Sequence, residues 1–141
     1  MRTCDKIFLM EKKIKKQLKD SGVSIVYLFG SMSSGRTSPM SDVDIGIVLR
    51  DVNLLKRSKN IYTKLYAIFA DIYPSFTIDI VFLQSAAVSL QYDAVRYGEI
   101  LFVTDPKQRA DYEAEVMNMY FDFMPVLRAF DDAAGVRHAH V

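Results

Sequence analysis

Residues 23–49 read VSIVYLFGSMSSGRTSPMSDVDIGIVL, two β-rich runs with a small polar segment between them. The first run, Val23 to Phe29, is β-branched and aromatic and short enough for a buried strand. It stops at Gly30. The segment that follows, SMSSGRTSPMS, is punctuated by Gly35 and Pro39 and predicts a loop, and loops of this kind commonly carry function. From Asp42 to Leu49 the residues alternate, which predicts a second strand. Side chains two apart on a strand share a face, so the carboxylates of Asp42 and Asp44 project together from Cα atoms roughly 6.5–7 Å apart.

Outward from this stretch the pattern is equally regular. Before it, Ile7, Met10, Ile14 and Leu18 recur at helical steps, with Lys12, Lys13, Lys15, Lys16 and Lys19 on the remaining faces as a solvated surface. Ser21-Gly22 ends that helix, glycine being suited to the left-handed cap. After it, Asn53 can cap a helix in which Leu54, Ile61, Leu65, Ile68 and Ile72 recur until Tyr73-Pro74. FTIDIVFL reads as a third strand, Ala86 to Tyr97 as a helix ended by Gly98, and EILFVT as a fourth strand before Asp105-Pro106. The C-terminal helix begins at about residue 107. Its stripe of Tyr112, Val116, Met119 or Tyr120, Phe123, Leu127 and Phe130 reads chiefly as core, a surplus aromatic edge being open to a toxin or a second copy of this chain, with Pro125 a kink or break and a frayed tail from about residue 135. The order α, β, β, α, β, α, β, α predicts an α/β (α+β) fold, a small mixed sheet with helices packed against it.

The 141 residues fit one domain spanning 1–141. Half are hydrophobic and a quarter charged, as in a folded globular chain. A formal net charge of +1 gives no global field for wrapping nucleic acid, so no direct nucleic acid binding is expected. The single cysteine, Cys4, excludes an intrachain disulfide and a cysteine zinc cluster. The apolar run near the N-terminus is far short of a membrane span, and the reading is a soluble, cytoplasmic protein without membrane contact. His138 and His140 lie in the tail and are discounted as ligands.

The chemistry rests on carboxylates. On the third strand Thr77, Asp79 and Val81 point one way and Phe76, Ile78, Ile80 and Phe82 the other. Asp79 is thus a lone carboxylate amid apolar neighbours, and burying it unpaired would cost several kcal/mol. If the second and third strands are adjacent, Asp42, Asp44 and Asp79 meet, and a cation is needed to offset their repulsion. Oxygen-only ligands choose hard cations such as magnesium or manganese. Gly30 and Ser31, with Gly35 four residues on, offer close backbone approach and a hydroxyl to a phosphate. Two metals beside an α-phosphorus would activate an attacking hydroxyl and stabilise departing pyrophosphate, with Asp79 also able to take the proton. Asp-x-Asp alone is more often a solvated turn flank; the combination carries the case.

Gly30-Ser31, ten residues, then Asp42-x-Asp44 resembles the signature of the minimal nucleotidyltransferases of the polymerase-beta superfamily. Hydrophobic residues before Gly30, Gly35 in the loop, Ser41 before the first aspartate and Asp79 in TIDIVFL extend the match. EAEVMNMYFDFMPVLRAF, residues 113–130, looks like the C-terminal helix of the small MNT antitoxins encoded beside HEPN toxins. The resemblance implies ATP as donor, magnesium as cofactor with two ions, and a tyrosine of a HEPN toxin as acceptor, AMP addition silencing the toxin. It implies phosphate-binding roles for Gly30, Ser31, Gly35 and Ser41. Family members often carry Ala-Arg or Ala-Lys before the loop glycine; here Ser33 and Ser34 stand there and Arg36 follows, the candidate replacement as triphosphate contact. A small-molecule acceptor, as in aminoglycoside nucleotidyltransferases, and a non-catalytic toxin-binding antitoxin are the alternative readings, and a homo-oligomer is possible.

Overall fold

The computed structural model describes residues 11–29 and 42–138. Gly30, Ser31, Gly35, Arg36 and Ser41, like Ile7, Met10 and Cys4, lie outside the described residues. The first described helix, α1, spans Glu11–Asp20. It turns into β1, Val23–Phe29, through Gly22, whose φ of 88° lies in the left-handed region expected of it. Arg50 N–H then donates to Gly22 O at 2.9 Å, tying this turn to the end of β2, Asp42–Leu49.

Past β2 the expected Asn53 cap is replaced by Asp51. Its carboxylate accepts from Asn53 N–H at 2.9 Å and starts a 3-10 helix, Val52–Arg57, which leads into α2, Ser58–Ile72. A short aspartate before a turn captures the N–H two residues on, which Asn53 itself does not do here. Strand β3, Thr77–Phe82, passes through a 3-10 turn, Leu83–Ser85, to α3, Val88–Tyr97; β4, Glu99–Val103, and α4, Pro106–His138, complete the chain. Asp105 caps α4 by accepting from Lys107 N–H at 3.0 Å, as its position before Pro106 suggests. Helix α4 continues through Pro125, so of the expected kink or break there the break does not occur. Proline removes one backbone donor, and a helix of 33 residues tolerates that single loss.

The four strands lie in the order β3-β2-β1-β4. Strand β1 pairs antiparallel with β2 and β4, while β2 pairs parallel with β3, so the sheet is mixed as expected. Alternation divides the core in two. Val43, Ile45 and Ile47 join Ile14, Leu18, Leu65 and Phe69 in the layer beneath α1 and α2. On the opposite face Ile25, Tyr27 and Val48 pack with Leu83, Ala94, Tyr112 and Val116 beneath α3 and α4. The lysines of α1 are exposed, as a solvated face should be.

Half-buried amides close the ends of the sheet. Gln84 accepts from Leu49 N–H at 2.8 Å and donates to Leu49 O at 2.9 Å, behaving as one more strand residue at the end of β2. Fully buried Ser24 donates to Gln108 Oε1 at 2.7 Å, and Gln108 Nε2 donates to Arg50 O at 2.9 Å, which fixes the first turn of α4. Tyr27 donates to Glu113 at 2.8 Å, and Glu113 also pairs with Arg109 at 3.2 Å. Burial foremost, then the Glu113 bond, drives the Tyr27 hydroxyl far above the usual tyrosine range, so it stays a proton donor at every working pH.

Candidate active site

Strands β2 and β3 are neighbours, the condition on which convergence of the aspartates depended. Their parallel register sets Asp44 directly beside Asp79 and Asp42 beside Thr77. Adjacent strands run about 4.8 Å apart, and residues two apart on one strand share a face. Three carboxylates therefore occupy one small area at the start of β2 and β3, beside the end of β1, where Phe29 pairs with Asp44. They stand on the sheet face that α3 and α4 cover farther along.

The electrostatics follow from this placement. Partial burial, then the charges of Asp79 and Asp42, raise the carboxyl of Asp44 above the usual aspartate value. Asp44 is half-buried, whereas Asp42 and Asp79 are exposed. The expectation of a desolvated Asp79 is thus corrected: β3 lies at the sheet edge, and the outward face of its first residues is open to water. Burial acts on Asp44 instead, because β2 is flanked on both sides. Among the described residues no group of His, Cys, Asp and Glu side chains is gathered tightly enough to hold an ion as it stands. Oxygen donors alone match magnesium or manganese.

One contributor carries no charge. Gly46 follows Asp44 by two on the same face, and a Cβ there would stand 2.9 Å from Leu83 Cδ1 and 3.2 Å from Phe29 Cε1. Its bare backbone lets those side chains close over the sheet immediately beside Asp44. A glycine in the middle of DVDIGIVL was the available signal, since strand interiors use glycine where something must approach closely.

A groove of about 550 Å³ lined by Lys13, Gln17, Lys64 and Asp71 runs between α1 and α2, on the opposite face from the aspartates. It has no part in their chemistry.

The family described as "Polymerase beta, Nucleotidyltransferase" matches residues 12–107, which include all three aspartates. The chain belongs to this nucleotidyltransferase family. No curated protein matches its sequence. Among solved structures, a toxin–antitoxin with AMP-PNP is 27% identical with a TM-score of 0.67, over 86% of this chain and 95% of that one. A toxin-antitoxin MntA-HepT structure is 25% identical with a TM-score of 0.62, over 90% and 97%. A tri-AMPylated Shewanella oneidensis HEPN toxin in complex with MNT antitoxin is 26% identical with a TM-score of 0.62, again over 90% and 97%. The nucleotidyltransferase fold expected from Gly30-Ser31 and Asp42-x-Asp44 is therefore the fold found, and the similar structures are MNT–HEPN complexes. No helix among the described residues is long and apolar enough to cross a membrane.

Proposed function

We propose that this nucleotidyltransferase transfers AMP from ATP to a hydroxyl, that of a tyrosine, on a partner HEPN toxin, and acts as its antitoxin. One observation carries the reading: Asp44 and Asp79 are register neighbours, with Asp42 on the same face two residues away. Similarity to an AMP-PNP complex and to an MNT antitoxin with its AMPylated toxin supports adenylyl transfer and the choice of acceptor.

Asp42 and Asp44 would hold divalent magnesium, with Asp79 completing the set. When bound there, magnesium offsets the three negative charges and the charge that gathers on the phosphates. Gly30 and Ser31 follow β1 directly in sequence, next to the residue that pairs with Asp44, and are proposed to hold the triphosphate with Gly35, Arg36 and Ser41. The acceptor oxygen attacks the α-phosphorus, the bond from that phosphorus to the bridging oxygen of the β-phosphate breaks, and pyrophosphate leaves. The hydroxyl proton passes to the carboxylate of Asp79, which is exposed and so open to an incoming acceptor. The cytoplasm, where ATP and magnesium are plentiful, is the proposed site of action.

The test incubates the protein with ATP labelled at the α-phosphate, magnesium and the HEPN protein encoded beside it. Label should enter the HEPN protein and fall on the order of 100-fold or more with Asp42→Asn or Asp44→Asn, because each ligand lost removes several kcal/mol of charge stabilisation. Toxin inhibition without label, unchanged by both substitutions, would refute the transfer and leave a binding antitoxin.

A further inference from the structure

The C-terminal helix is only half used by the domain. Tyr112, Val116, Met119, Phe123, Val126 and Phe130 are spaced by four, three, four, three and four residues, a seven-residue repeat that makes one narrow seam suited to a single facing helix. Tyr112 and Val116 are buried against the sheet and α3, and Tyr120 stacks on Tyr92 with ring centroids 3.7 Å apart. Beyond that stack the seam continues with no layer of described residues beneath it: Phe123 is 43%, Val126 44% and Phe130 69% exposed. The stripe expected to be chiefly core is thus core in its first half, and its second half is exposed. At 1.5 Å per residue the helix is roughly 50 Å long, more than the sheet it packs on can cover.

Charge selects the occupant. Exposed Asp122 lines one flank of the open half of the seam, with exposed Glu115 seven residues before it on the same flank beside the buried half. The opposite flank carries Tyr120, and Arg128 stands about 140° round the helix from Phe123, away from the seam. A second copy paired antiparallel would set the acidic flank against itself; paired parallel, it would set the acids against a flank with no cation among the described residues. A helix with its own apolar seam and a lysine- or arginine-bearing flank satisfies both demands. The similar solved structures are two-protein complexes. We propose that the second half of α4 is the docking seam for a basic-flanked amphipathic helix of the acceptor protein. This rests on the reading that the acceptor is a HEPN protein, and the seam holds that protein while the aspartates act on it.

The test uses the full chain with Phe123→Ser and Phe130→Ser combined, both exposed and outside the aspartate site. The Kd for the HEPN protein by calorimetry should rise at least 10-fold, and the KM for it in the labelling assay should rise in step, with kcat and magnesium–ATP binding unchanged. Asp122→Lys alone should weaken the complex, and more so at low salt. An unchanged Kd in the double variant would overturn the seam. So would a wild-type chain that is dimeric in isolation and monomeric in the double variant, which would give the seam to a second copy. Asp42→Asn separates the two readings: if it binds the HEPN protein normally while wild type transfers no label, transfer fails and the seam stands.

Discussion

Replacing Asp44 by asparagine should make the metal-free protein more stable while removing its activity. Asp44 lies beside Asp79 in the parallel register and two residues from Asp42, and its carboxyl is held above the usual aspartate value by partial burial and by those two charges. At about 5 Å, two like charges repel by ~0.8 kcal/mol at the dielectric of water and ~3 kcal/mol at an effective value near 20. Asp44 is half exposed, so solvent screening favours the lower end, and we take about 1 kcal/mol as the relief. For a chain of this length that is a rise of roughly 3 °C in Tm. Asparagine keeps the size of the side chain, so packing is not the variable. Thermal unfolding followed by circular dichroism at pH 7.5 in EDTA measures it. The pH dependence has a definite sign. A carboxyl raised in the fold binds its proton more tightly there than in the unfolded chain, so its contribution is full below the ordinary aspartate pKa and is lost as pH climbs through the raised value. The advantage of Asp44→Asn should therefore shrink toward pH 4. Added magnesium should reverse the order at pH 7.5: wild type gains about 2.7 kcal/mol at 100 times its Kd, and the variant gains little. Equal or lower stability of the variant in EDTA at pH 7.5, or an advantage that grows on acidification, would refute the crowding of these carboxylates.

Gly46→Ala should cost about 1–3 kcal/mol in urea unfolding, because the new methyl meets Leu83 at 2.9 Å and Phe29 at 3.2 Å in a packed layer, and it should lower labelling by shifting Phe29 beside Asp44. Gln84→Ala should lose about 1–3 kcal/mol by the same measurement, since both backbone groups of buried Leu49 are left unsatisfied, with labelling preserved. Tyr27→Phe removes one hydroxyl bond to Glu113 and should cost about 1 kcal/mol, with no effect on ATP binding; a large loss of ATP binding would place Tyr27 in the site.

Local chemistry alone carried the element order, the four strands, the left-handed Gly22 and the placing of Asp42 with Asp44 on one face. Each depends on residues within a few positions of one another, through alternation, helical period or a glycine that takes a positive φ. What the sequence did not contain was the adjacency of β2 and β3. That adjacency turns two carboxylates and a distant third into one site, and it arises because the parallel crossover through α2 returns the chain beside β2. Tertiary structure also decided burial. Asp79 reads as desolvated from its apolar neighbours, yet it stands on an edge strand, while Asp44 on an inner strand bears the burial. The aromatic stripe of α4 has one period throughout, but only the part that meets α3 and the sheet is core, since periodicity specifies a face and not whether anything lies against it.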